Sequence, residues 1–349
     1  MNRKKRHLLL TTGAAALAAA FAAPSHAIVI VDDSFADGIT NNGPGQIGFN
    51  VTSSNFALDL AQPPGPLDFA TGNSGRTIHG LFAPQTLTAF GDVLDVTFDF
   101  TTPASIANDN NLPSSNEDFK FGLFNTAGTA GAIDVNTGLP IDFNGPINTS
   151  SGTPNPALNG LAGFFGEIDN INASGTDLGI RTHNVNDTPG SGAGSPNGQF
   201  LNSNGGFDFI AGGDDDIVSL APNTDYVGTL SVEFTDATLT TLEITVGMAD
   251  AAGVAFNDSF TRTVSIADVP GTSIGVNTTT FDLLAFHATS GAFGGTDNPA
   301  IPGSSNVGEA NNGIDISNVF IEFTPVPEPA SLTLLAAGAG LLITRRRRV

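Results

Sequence analysis

The chain has 349 residues, 34 acidic and 12 basic side chains, a formal net charge of −22, and neither Cys nor Trp. That balance excludes a nucleic-acid surface, which needs clustered Lys and Arg, and the missing Cys excludes disulfide scaffolds, thiol nucleophiles and zinc–thiolate sites. At 40% hydrophobic residues the chain still has the apolar side chains for a core, so composition argues against wholesale disorder.

The basic residues are segregated. Arg3, Lys4, Lys5 and Arg6 open the chain and Arg345, Arg346, Arg347 and Arg348 close it. Residues 28–344 therefore hold only Arg76, Lys120, Arg181 and Arg262 against all 34 acids, a local charge of −30. The first basic run precedes an apolar stretch at 8–23 and then Pro24-Ser25-His26-Ala27, with small residues at the two positions a signal peptidase reads. Residues 1–27 are thus expected to be a signal peptide, cut after Ala27.

From Ile28 onward the pattern is β. Leu94, Val96, Phe98 and Phe100 alternate with Asp95, Thr97 and Asp99, and Phe119, Phe121 and Leu123 repeat the device across Lys120 and Gly122. Leu230, Val232 and Phe234 form another face; after a turn near 235–238, Leu242, Ile244, Val246 and Met248 return, which predicts a hairpin. Later strands are expected at 260–266, 281–287 and 319–323. Each strand offers one apolar face and one rich in Thr, Asp and Ser, as two packed antiparallel sheets require. Long Gly/Asn/Ser/Pro stretches at 125–160, 184–206 and 288–313 join the strands and are where binding would be carried. Residues 28–324 are expected to form one large all-β sandwich, with two smaller sandwiches as the alternative.

The C-terminal residues 325–349 differ. Val326-Pro327-Glu328-Pro329-Ala330 precedes an apolar run at 331–343 and then the four arginines. A helix over 330–344 would rise about 22 Å, short of a hydrocarbon core of about 30 Å, and the arginines favour a cytoplasmic end. Such a span suits a transient stop in the inner membrane rather than a lasting anchor. Pro at both flanks keeps Glu328 in extended chain. Pro327-Glu328-Pro329, the short apolar helix and the cluster Arg345 to Arg348, in that order at the C-terminus, resemble the PEP-CTERM sorting signal of Gram-negative bacteria. The resemblance implies removal of the tail by an exosortase, release or attachment at the cell surface, and a role in exopolysaccharide, biofilm or floc.

The order of strands from Leu87-x-x-x-Gly91-Asp92 through Phe98, then 119–124, then 318–322, is similar to concanavalin-A-like lectin and glucanase jelly rolls. That second resemblance implies either a carbohydrate-binding module or a glycosidase. Glycosidases of this fold carry Glu-x-Asp-x-x-Glu on one strand, which puts the carboxylates on one face at retaining distance. Here Glu167 and Asp169 match but the third position is Asn172, which cannot act as an acid; a strand edge with solvated acids is the expected reading, and no catalytic residue is assigned. His79, His183 and His287 are dispersed, and His287 continues the face of Leu283 and Ala285. The single Tyr and missing Trp leave only Phe for sugar stacking. No cofactor is required. The Asp-rich clusters at Asp32-Asp33, 108–111 and 214–216 suit a structural calcium ion, with no ordered ligand motif and no site assigned. The sequence therefore predicts a non-enzymatic exported surface or matrix protein, with signal peptidase and exosortase as export partners, extracellular polysaccharide as a further partner, and a lectin-like module as the alternative.

Overall fold

The computed structural model describes residues 26–36, 45–47, 49–51, 60–61, 66–69, 76–102, 119–127, 161–168, 176–183, 207–209, 216–217, 220–221, 223–252, 257–267, 275–288 and 314–326. Every regular element among them is a strand: β1 (Ile28–Asp33), β2 (Phe49–Val51), β3 (Leu60–Ala61), β4 (Leu67–Phe69), β5 (Arg76–Thr86), β6 (Val93–Thr101), β7 (Phe119–Asn125), β8 (Ala162–Ile168), β9 (Thr176–His183), β10 (Phe207–Phe209), β11 (Asp216–Ile217), β12 (Asp225–Phe234), β13 (Thr241–Asp250), β14 (Asn257–Ser265), β15 (Thr280–Ala288) and β16 (Ile314–Thr324). The expected helix at 330–344, the signal peptide before His26 and most of the long connections lie outside the described residues.

The strands form two antiparallel sheets. The first runs β14-β13-β12-β6-β16-β4-β3, with β1 also on β16; the second runs β10-β9-β8-β7-β15-β5-β2, with β11 on β9. Each sheet draws strands from both halves of the chain, and one core cluster extends from Val31 to Ile321. The expected hairpin is β12–β13, with Phe234 opposite Leu242. Its turn is organised by Asp236, whose carboxylate accepts hydrogen bonds from the backbone N–H groups of Thr238, Thr240 and Thr241. Hydrogen bonds from the Thr238 and Thr241 side chains hold that carboxyl far below the usual carboxylate range.

The first sheet behaves as its alternation demands. In β6, Leu94, Val96, Phe98 and Phe100 are buried while the residues between them are half-exposed. The outward face carries acids in direct opposition: Glu233 faces Glu243, and Asp95 faces Glu322. Partial burial and then the Glu243 and Asp95 charges raise the pKa of Glu233.

The second sheet corrects the expectation of one polar face per strand. All seven residues of β8 are buried, as are the first six of β7, and in β15 both Phe286 and His287 are 0% exposed. Runs buried on both faces lose period-two alternation, which explains why β8 carries no clear strand signal.

Phenylalanines fill the gap between sheets. Phe98 of the first sheet meets Phe121 edge-on at 5.1 Å and Phe286 at 4.8 Å, both from the second. Its ring fits because the residue opposite it on β12 is Gly228; a Cβ there would lie 2.0 Å from Phe98 Cζ. Gly228→Ala is expected to cost about 2 kcal/mol, read by urea unfolding. Gly228→Ala/Phe98→Leu should be more stable than the sum of the two single effects, because the smaller side chain vacates the contested space.

Candidate functional site

Two regions collect the residues that carry chemistry. The first is the face of the second sheet turned away from the shared core. Phe119, Phe121 and Leu123 of β7 belong to the core, so alternation turns Lys120 to the other face. In the ladder Lys120 lies opposite Glu167 of β8 and His287 of β15. Two strands over, Arg181 lies opposite Phe165, on the same face as Glu167. Ala285 lies opposite His79 of β5, which brings that histidine to this face as well.

These groups interact. Lys120 Nζ is 2.9 Å from Glu167 Oε1, and Arg181 Nε donates to Glu167 Oε2. Lys120 also sits over the Phe165 ring, 5.9 Å from its centroid. Lys120 is 1% exposed and Glu167 4%, while the Arg181 side chain is 31% exposed and reaches the surface. One carboxylate between two cations compensates a buried charge that neither partner could carry alone. Burial, and then the neighbouring Lys120 charge, push His287 well below the usual histidine range, so it is neutral at pH 7.

The expectation for Glu167 is corrected here. It is not a solvated acid at a strand edge: β8 lies between β7 and β9, and the carboxylate is buried and ion-paired on both oxygens. Asp169 and Asn172 lie outside the described residues. His183 joins the second sheet opposite Gly163 and Phe207. Lys120 and Arg181 were visible in the sequence only as two of the four cations in the body; the available signal was Lys120 interrupting an apolar alternation.

The second region is where the chain enters and leaves the folded body. Ala27 is exposed and immediately precedes β1. Ile28 pairs with Phe323 of β16, so entry and exit are neighbours. Beyond β16 the chain is caught once more. Buried Asp92 accepts hydrogen bonds from Thr88 N, Ala89 N and Val326 N, at 2.7, 2.8 and 2.8 Å. Pro325 and Pro327 have no N–H, so the Val326 N–H is the sole backbone donor between Thr324 and Glu328. Gly91, at φ +87°, packs against Val326, whose Cγ2 would lie 3.0 Å from a Cβ at that position. Pro327, Glu328, Pro329, Arg345, Arg346, Arg347 and Arg348 lie outside the described residues.

Among the described residues no group of three or more His, Asp or Glu is arranged to hold a metal ion. Asp33, from one of the Asp-rich clusters, instead spends both oxygens on the backbone, accepting from Phe35 N at 2.8 Å and Ile47 N at 2.9 Å. Residues 108–111 and 214–215 of the other two clusters lie outside the described residues.

No family model matches the chain, and no curated protein matches it. Solved structures of similar shape include the basic winged bean lectin with Tn-antigen (12% identity, TM-score 0.38, 86% of this chain and 98% of that one). The VIP36 exoplasmic/lumenal domain in its Ca2+/Man-bound form has 10% identity and a TM-score of 0.41, over 87% and 91% of the two chains. A mutant of the alginate lyase Aly36B in complex with alginate trisaccharide has 9% identity and a TM-score of 0.35, over 87% and 99%. At such values the likeness decides nothing about function; the two-sheet all-β architecture rests on the ladders themselves.

His287 gives the site a pH signature. Its folded pKa lies below the unfolded value of about 6.5, so the unfolded chain binds more protons under acid and stability falls as pH drops through that value. Relative to His287→Asn, the native chain should lose about 1.4 kcal/mol of stability per pH unit below pH 6, measured by urea unfolding at pH 7, 6 and 5.

Proposed function

We propose that the chain is an exported cell-surface or extracellular-matrix protein, a non-enzymatic β-sandwich delivered by signal peptidase acting after Ala27 and by an exosortase acting on Pro327-Glu328-Pro329. The observation that carries the reading is the agreement between signals and strands. The first strand begins at Ile28, the residue after the expected cut, and the last ends at Thr324, with Val326 held just before Pro327. Both processing segments thus adjoin the ends of the described strands. The tail enters the inner membrane transiently, with Arg345 to Arg348 on the cytoplasmic side. The released body then supports exopolysaccharide or biofilm assembly, the role implied by the sorting-signal resemblance. The test is the mass of the surface or secreted protein from cells with and without the exosortase gene. The mature protein is expected to lack Arg345 to Arg348 only when the gene is present; an intact tail in wild-type cells overturns the reading.

A second reading, carbohydrate binding by the body, is favoured by Arg181. Its guanidinium is fixed by Glu167 yet partly open to solvent, and such a planar donor suits the oxygens of a polysaccharide. A glycan array with the exported protein, run with and without calcium, should give signals that Arg181→Ala removes; uniform blanks under both conditions overturn this reading.

A further inference from the structure

Four large hydrophobic side chains are exposed among the described residues: Ile28 at 50%, Val29 at 51%, Phe90 at 55% and Leu239 at 37%. The ladders bring all four to one end of the first sheet. Ile28 and Val29 open β1 opposite Phe323 and Glu322 at the close of β16. Phe90 precedes Gly91 and Asp92, and Val93 at the start of β6 lies opposite Thr324. Leu239 is in the β12–β13 turn, and the Phe234 that begins this turn exchanges backbone hydrogen bonds with Gly91 and Asp92. From β1 to β13 the end is five strands wide, about 19 Å at 4.8 Å per strand. Scattered single apolar residues on a surface are ordinary; every one of them at the same end is not.

That end is also where the chain departs. Five Cα–Cα steps separate Val326 from Ser331, the first residue of the apolar run, and they reach at most about 18 Å. On the entry side, five steps likewise separate Ile28 from Ala23, the last residue of the apolar stretch of the signal peptide. The Asp92–Val326 hydrogen bond holds the chain to the body just beyond β16. The acid of the neighbouring turn, Asp236, is partly exposed, with its carboxylate hydrogen-bonded to the backbone of Thr238, Thr240 and Thr241.

We infer that this end of the first sheet is a membrane-contacting surface: while the tail is inserted, Ile28, Val29, Phe90 and Leu239 rest on the lipid bilayer. The inference rests on the proposed insertion of the tail. Glu233, Glu243 and Glu322 stand on the outward face beside this end, so the contact is with zwitterionic rather than anionic headgroups. Asp92 is a positioning residue for it, because it fixes the point from which the short connection starts.

The absence of native Trp provides the test. The full chain carrying Phe90→Trp is reconstituted into phosphatidylcholine vesicles with and without brominated acyl chains. Ala252→Trp, exposed at the opposite end of the β12–β13 pair, serves as the control. Bromine is expected to quench the Phe90→Trp emission at least twofold, to leave the Ala252→Trp emission unchanged, and to lose its effect on Phe90→Trp when Asp92→Ala is added. Flotation with the vesicles but equal quenching at both positions, or none at either, overturns the surface while leaving tail insertion intact. Failure to float overturns tail insertion and the surface with it. A blue shift of the Phe90→Trp emission without bromine quenching places the side chain in an apolar setting other than the acyl chains and likewise overturns the bilayer contact.

Discussion

The two sheets are joined by rings, and Phe98 is the ring on which that junction turns. It reaches Phe121 and Phe286 across the gap and Phe100 along its own strand. With no Cys in the chain, no covalent link substitutes for this contact. Phe brings no polar atom that needs a buried partner, so a dense aromatic seam is filled without polar satisfaction constraints. The seam also fixes positions elsewhere. Gly228 is required opposite Phe98, and Phe286 on the core face of β15 sets His287 on the reverse face beside Lys120. The polar cluster on the back of the second sheet is therefore placed by the packing at its front.

How much of this was legible beforehand depended on whether a strand is buried on one side or two. In β6, β12, β13 and β16 polar and apolar residues alternate because one face meets solvent; β6 and β13 were readable in place, β12 and β16 only in their later halves, and pairing only for the β12–β13 hairpin. The hairpin at Asp236 was readable too, since its strands alternate up to a polar turn. The second sheet was harder. A strand covered on both faces has no alternation to read, so β8 (Ala-Gly-Phe-Phe-Gly-Glu-Ile) shows nothing that marks Glu167 as interior. The pairing of Lys120, Glu167 and Arg181 joins residues up to 61 positions apart in numbering, and only strand order supplies it. The same holds for Asp92 and Val326, whose separation of 234 residues hides a single hydrogen bond.

Charge takes a different meaning in each sheet. The first carries acids on a half-exposed face, where Glu233 and Glu243 stand opposed and water moderates their repulsion. The second carries two of the few cations of the body, Lys120 buried and Arg181 reaching the surface, each held by the one carboxylate between them. An acidic surface keeps a protein dispersed, while Lys120 and Arg181 share the single carboxylate of Glu167. A composition line averages these two regimes and reveals neither.

The position of β16 has a consequence for the order in which the molecule can be built. It lies between β6 on one side and β4 and β1 on the other, so the first sheet is split until it arrives. Yet it is the final described strand, ending at Thr324. During synthesis, β1 has no partner among the described strands, and β6 has one side open, until almost every residue has been made. Contacts between the first and last strands are the most distant in sequence and the slowest to form. A chain wired this way can pair β14-β13-β12-β6 and the strands of the second sheet early, but joins β1, β4 and β6 into one sheet only when its last described strand is available.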